Sequence, residues 1–332
     1  MSSAGLAAAI AKALGENASS QTVTHFIDTG YPPLNKAISG RYDGGYPCGR
    51  LVEIYGPSSA GKTLLATKAM AQAQKMGGVA IFSDHERSFE AGLAEAIGLS
   101  LDPNQWIYRT PGTWEEGNTE IAKAAKIIRE GKFIDPEAPI VAVFDSIAAA
   151  LPKSMADKDM MDYNMNDTTA LARVTSTTLK SMARWAHEFN MTIIYLNQIR
   201  MAPGVMYGDP TTTPGGKSME FYASVRLALG RKRLVDKETK EFLGQEVSIK
   251  TAKNKIAKPG QECTLPFLYD DAGVGYLDMV GGMVNYLTDS GKLASAGARV
   301  TWTDGKSYFK SALVKKLADE NAYDQLVALL AA

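Results

Sequence analysis

Four short, nearly unbroken apolar runs punctuate the chain: LVEIY from Leu51, VAIF from Val79, IVAVF from Ile140 and TIIYL from Thr192. Between them apolar positions recur every three or four residues, as in TLLATKAMAQAQKM from Thr63. Short runs without polar alternation suit strands buried on both faces, and the longer period suits covering helices. The pattern therefore predicts a largely parallel α/β sheet flanked by helices. Each run stops, on its C-terminal side, in polar or glycine-rich sequence: GPSSAGKT, SDHER, DSIAA and NQIRM. In open α/β sheets ligands bind beyond the carboxyl ends of the strands, so these four endings are expected to converge on one edge.

Outside this core, MSSAGLAAAIAKALGE reads as an amphipathic N-terminal helix. The C-terminal part carries apolar patterns at VGYLDMVGGMVNYL and SALVKKLADENAYDQLVALL, joined by the turn-rich GKLASAGARVTWTDGKSYF, and predicts a small α+β lobe. The expected organisation is an N-terminal segment 1–32, a core 33–269 and a lobe 270–332. One stretch does not fit a bare scaffold. NQIRMAPGVMYGDPTTTPGGKSM follows a buried strand with residues of glycine, proline and threonine type, and loops that long inside a domain are usually binding loops or lids.

Composition narrows the class. With 332 residues, 45% of them hydrophobic and 22% charged, the chain can bury a full core. No apolar stretch is long enough to span a bilayer, and no basic region precedes the mildly apolar N-terminus, so neither a membrane protein nor a signal peptide is expected. Cys48 and Cys263 stand alone, without disulfide or zinc spacing, which fits a reducing cytoplasm. His25, His85 and His187 show no ligand spacing either. Lys plus Arg and Asp plus Glu both number 36, so net charge decides nothing about polyanionic partners. Basic residues do gather at Arg226, Arg231, Lys232 and Arg233 and at Lys250, Lys253, Lys255 and Lys258, as a solvated face or a binding surface would require.

The strongest chemical signal is Gly56, Pro57, Ser58, Ser59, Ala60, Gly61, Lys62 and Thr63, which fit G-x-x-x-x-G-K-[ST] between a strand and a helix. Glycines let backbone amides wrap a β,γ-phosphate, Lys62 adds a cation, and Thr63 offers a hydroxyl to Mg²⁺. ATP with Mg²⁺ is the expected ligand. Asp145 closes IVAVF and can hold the metal shell, or cap the next segment. Glu86, just past VAIF, can polarise a water for attack on the γ-phosphate, or merely solvate a strand end. Gln198 ends the fourth strand and opens the long loop, so contact with the γ-phosphate can bias the loop's order. Met, Tyr and Pro in the polar settings DKDMMDYNMND and APGVMYGD suit wedges or stacking surfaces against bases.

GRLVEIYGPSSAGKT, DSIAAALPK, LNQIRMAPGVMYGDPTTTPGGKSMEFYASVRLALGRKR and KTAKNKIAKP resemble the bacterial RecA recombinases, and IDTGYPPLNKAISGRYDGGYP also resembles the phage UvsX branch. The resemblance runs from about Phe26 to the C-terminus. It implies a RecA-type P-loop core and an ATP-dependent recombinase that forms a helical filament on single-stranded DNA, pairs it with double-stranded DNA and exchanges strands. It further implies catalytic roles for Lys62, Glu86, Gln198, Lys253 and Lys255, the last two reaching ATP on a neighbouring subunit, with Phe221 at the subunit contact. DNA loops are expected near 157–167 and 199–213, with DNA-binding residues at Met165, Arg173, Arg200, Met201, Met206, Tyr207, Thr211, Thr212 and Lys217. The N-terminal segment is then an oligomerisation arm or a loose surface helix. Single-strand-binding and mediator proteins are candidate partners, and the bacterial cytosol, for a cellular or phage-encoded protein, is the expected location. Two departures stand out: the first loop is acidic and glycine-free, and Leu93 occupies the place of the tyrosine that other members set against adenine. The competing readings are a hexameric ring motor on the same core and an ATP-gated regulatory module that binds no DNA.

Overall fold

The computed structural model describes residues 5, 9–10, 13, 22–162, 169–201, 211–236, 238–270 and 273–331. A nine-stranded sheet organises them. Its strands are β1 Leu51–Gly56, β2 Val79–Asp84, β3 Trp106–Arg109, β4 Ile140–Asp145, β5 Met191–Gln198, β6 Val225–Val235, β7 Phe242–Asn254, β8 Glu262–Tyr269 and β9 Gly275–Leu277. They lie side by side as β9-β8-β7-β6-β1-β5-β4-β2-β3. From β6 through β3 every neighbouring pair is parallel, whereas β6 through β9 pair antiparallel. The expected parallel sheet is borne out, and an antiparallel extension is added to it.

The apolar runs are continuous because both faces of the sheet are covered. Along β4, Val141 and Val143 enter one buried cluster, while Ile140, Ala142 and Phe144 enter another on the opposite face. Helices α1 Pro32–Ser39 and α2 Lys62–Lys75 pack on the first face; α3 Trp114–Glu130 and α4 Ala170–Glu188 pack on the second. In α4 the buried positions Thr175, Leu179, Met182 and Ala186 follow the spacing of a single helix face. α3 starts where the Thr113 side chain accepts the amide of Glu116, with Glu115 and Glu116 in its first turn.

The C-terminal lobe holds α6 Met279–Asp289, a three-stranded antiparallel sheet (Ser295–Ala296, Arg299–Thr301 and Ser307–Phe309), and two further helices, Lys310–Asp319 and Tyr323–Ala328. Val284, Leu287, Trp302 and Leu317 join the same apolar cluster as Leu34 and Ile38 of α1, so the lobe shares the core of the main sheet. β9 extends that sheet beyond residue 269. Of the N-terminal segment, Gly5, Ala9, Ile10 and Ala13 are helical and exposed. Among the described residues no helix is long and apolar enough to cross a membrane.

Candidate nucleotide site and nucleic-acid loop

β1, β5, β4 and β2 are neighbours, and their registers place Gly56 beside Gln198 and Asp84 beside Asp145. The four expected strand endings therefore meet on one edge. Gly56 leaves β1 so close to β6 that a Cβ there would lie 2.7 Å from the carbonyl oxygen of Leu229. Gly61 turns the chain into α2 with φ +87°, a conformation costly for other residues. No side chain caps the start of α2, which suits a helix whose first amides serve an anion.

Lys62 folds back over the loop, its ammonium donating to the carbonyls of Gly56 at 3.3 Å and Pro57 at 2.8 Å. Burial lowers its pKa, opposed by Asp145 and Glu86. The Thr63 hydroxyl donates to Asp145 Oδ2 at 2.8 Å. Asp145 is 4% exposed, and burial pushes its carboxyl up to about 7, with Glu86 and Asp84 adding to the effect and the Thr63 bond and Lys62 opposing it. A buried carboxylate facing a hydroxyl fits Mg²⁺, which takes few protein ligands and completes its shell with water and phosphate oxygens. Among the described residues no cluster of three or more His, Cys, Asp or Glu offers a separate metal cage.

The turn after β2 is tied down through Asp84, which accepts the amides of Arg87 at 2.6 Å and Phe89 at 3.2 Å and the hydroxyl of Tyr108 at 2.9 Å. The amides of His85 and Glu86 donate to the carbonyl of Asp145, at 2.7 and 3.2 Å. Glu86 is thereby presented toward the cleft. Its Oε1 accepts hydrogen bonds from the Ser146 hydroxyl and from Gln198 Nε2, the latter at 3.2 Å. Ser146 was not singled out from sequence, although it directly follows Asp145 at the strand end.

The cleft beside the loop encloses about 500 Å³. Lys62, Thr63, Glu86, Asp145 and Gln198 all line it. Its far wall comes from the antiparallel extension, where Phe242 and Tyr269 lie 5.8 Å apart, 45% and 43% exposed, opposite Leu93. Gln245 of β7 donates to the carbonyl of Ser59 at 2.8 Å and holds this wall against the phosphate loop. These residues escaped the sequence reading because nothing local marks them; only the antiparallel folding of β7 and β8 beyond β6 brings them near the loop that follows β1.

Beyond Gln198 the chain forms a narrow stem, Arg200 pairing with Thr212 and Met201 with Thr211. Residues 202–210 lie outside the described residues, and with them Met206 and Tyr207; Met165 also lies outside, as does the side chain of Met201. Arg173, on α4, and Arg200, Thr211, Thr212 and Lys217 are exposed. Lys217 immediately precedes a short helix, α5 Ser218–Tyr222, on which Phe221 is 69% exposed. Lys253 and Lys255 do not face the cleft of their own chain. Lys253 Nζ donates to the carbonyls of Glu220 and Phe221, the latter at 3.1 Å, and Lys255 Nζ donates to that of Phe221 at 3.2 Å. Burial first, and then the charges of Lys255 and Arg226, push Lys253 down to about 8.

A family model described as the RecA N-terminal domain matches residues 7–274. The chain is 35% identical over 312 residues to Protein RecA of Streptococcus sanguinis strain SK36, covering 92% of this chain and 75% of that one. It is 35% identical over 320 residues to Protein RecA of Streptococcus gordonii strain Challis, with 94% and 77% covered. To Protein RecA of Streptococcus mutans serotype c it is 34% identical over 311 residues, with 93% and 75% covered.

Proposed function

The chain belongs to the RecA family, and from that premise we propose that it is an ATP-dependent recombinase that coats single-stranded DNA as a helical filament, searches double-stranded DNA for homology and exchanges strands. The observation that carries this reading is the hydrogen bond between Glu86 and Gln198, which ties a strand-end carboxylate at the phosphate loop to the residue that opens the stem at Arg200 and Thr212.

The roles follow from placement. Backbone N–H groups of the Gly56–Thr63 loop, all but that of Pro57, which has none, and the Lys62 ammonium hold the phosphates of ATP. Thr63 and Asp145 hold Mg²⁺, which supplies neutralising charge to those phosphates when bound. Glu86 Oε1 accepts a proton from the attacking water, which requires its bonds to Ser146 and Gln198 to loosen. Gln198, released from Glu86, turns to the γ-phosphate and shifts the loop that follows it toward a DNA-holding arrangement. Arg173, Arg200, Met201, Thr211, Thr212 and Lys217 are the proposed DNA contacts, together with Met165, Met206 and Tyr207, which lie outside the described residues.

A single subunit with a few phosphate contacts binds DNA nonspecifically, at roughly 10⁻⁴ to 10⁻⁶ M. Assembly through Phe221, with Lys253 and Lys255 leaving the α5 carbonyls for a neighbour's ATP, multiplies those contacts. A head-to-tail interface of that kind need not close, so an open helix results. The proposed organisation is an arm at 1–32, the ATPase core at 33–269 and a lobe at 270–332, and the proposed setting is the bacterial cytosol, for a cellular or phage-encoded protein.

Electron microscopy of the protein with an ATP analogue and single-stranded DNA tests this reading. Helical filaments dependent on both ligands are expected; closed rings would point to a ring motor, and unassembled protein with DNA-indifferent turnover to a regulatory module.

A further inference from the structure

Beneath the phosphate loop lies a buried polar chain that the roles above do not use. Glu53, in the middle of β1, is fully buried. Its Oε1 accepts Asn197 Nδ2 at 2.9 Å, and its Oε2 accepts Arg226 Nε at 2.5 Å. Asn197, also fully buried, accepts the amide of Gln198 on its Oδ1 at 3.0 Å and donates a second bond from Nδ2 to the carbonyl of Pro214 at 3.0 Å, just past the loop stem. Arg226 stacks over Tyr55, its guanidinium carbon 4.7 Å from the ring centroid, and reaches Glu220 of α5 at 3.7 Å. Glu220 precedes Phe221, and Arg226 pairs in register with Lys253.

A buried ion pair of this kind is a poor source of stability, because desolvation consumes much of the attraction. What it enforces is position. Each carboxylate oxygen of Glu53 has one partner, and those partners lead in opposite directions: one to Gln198 and the closing end of the loop, the other to the helix that bears Phe221. A shift of Asn197 therefore leaves Glu53 short of a bond in a place closed to bulk solvent, and the arginine is the group that can respond.

Building on the recombinase reading, we infer that Asn197, Glu53 and Arg226 are positioning residues that transmit a rearrangement at Gln198 to the subunit-contact helix, so that DNA response and cooperativity between subunits pass through one buried carboxylate.

Two variants test the relay on the full-length protein, with ATP and poly(dT) as probes: Asn197→Ala, at the Gln198 end, and Glu220→Gln, on the surface at the other end. Three quantities are read: nucleotide affinity without DNA, the stimulation of turnover by poly(dT), and the Hill coefficient for ATP. Asn197→Ala is expected to cut stimulation by about tenfold, the scale of one buried polar group left unpaired, with nucleotide affinity retained. Glu220→Gln, too exposed to threaten folding, is expected to bring the Hill coefficient toward one. Wild-type stimulation and Hill coefficient in both variants would overturn the relay alone, as would loss of nucleotide affinity in Asn197→Ala in step with stimulation, which marks a merely structural role. A wild-type protein indifferent to poly(dT) would overturn the recombinase reading and the relay together.

Discussion

Gln198, at the end of β5, donates from its side-chain amide to Glu86, in the turn after β2, across 3.2 Å, although the two stand 112 residues apart and β4 lies between those strands. The bond occupies the carboxylate proposed to accept a proton from water, so the residue that opens the stem at Arg200 and Thr212 also restrains that carboxylate. Gln198→Ala is expected to uncouple the two: nucleotide still binds at the Gly56–Thr63 loop, while stimulation of turnover by single strands falls by roughly tenfold or more, the scale of one lost polar contact to a charged group. Steady-state turnover with and without poly(dT), beside equilibrium nucleotide binding, measures both. Full stimulation in the variant would refute the coupling.

Lys62→Ala should abolish hydrolysis. The ammonium already sits over the loop, held by the carbonyls of Gly56 and Pro57, and its removal takes away charge that is worth on the order of 10²- to 10³-fold in comparable electrostatic sites. Phosphate-release assays at saturating ATP give the rate, and a variant within a few-fold of wild type would remove Lys62 from the mechanism.

Acid should weaken the fold through His85. Burial against Phe144, 4.2 Å between ring centroids, pushes its pKa down from 6.5 to about 4, partly offset by Asp84, Glu116 and Glu120. The unfolded chain binds this proton more readily, so the contribution is complete above pH 6.5 and is lost as pH falls toward 4. The loss amounts to on the order of 2–3 kcal/mol. Urea midpoints at pH 7 and pH 4.5 should therefore differ less for His85→Gln than for wild type.

Lys253 predicts an alkaline limit on cooperativity. Its ammonium is charged below about 8 and neutral above it, whereas an ordinary lysine keeps its charge to about 10.5. If that charge serves a neighbour's phosphates, the Hill coefficient for ATP should decline between pH 7.5 and 9.5, a window bracketing the lowered value. Lys253→Arg stays charged throughout and should flatten the profile.

Leu93 stands where a tyrosine is expected against the base, and Phe242, Phe267 and Tyr269 line the same cleft, with the Tyr269 ring 5.8 Å from Phe242 and 5.2 Å from Phe267. Tyr269→Ala should raise KM for ATP by roughly tenfold, as loss of one base-stacking contact does, and leave kcat nearly unchanged. An unaltered KM would show that the base is held elsewhere.

What could be read from the chain was local. Each of the runs at Leu51, Val79, Ile140 and Thr192 carries its own burial requirement, and the Gly56–Thr63 spacing carries its own phosphate geometry, so strand, turn and helix follow from residues a few positions apart. The basic group around Arg226 was ambiguous for the opposite reason. In VRLAL, Val225, Leu227 and Leu229 alternate inward, yet Arg226 is itself drawn into a buried pair with Glu53, 173 residues away. Lys253 and Lys255 likewise could be recognised as cations but not as groups resting on α5. Strand order and register decide such partners, and a shift of one residue would turn each side chain to the other face. The sequence by itself determined the sheet core and the phosphate loop; tertiary structure alone decided which charges lie beneath that loop and what they touch.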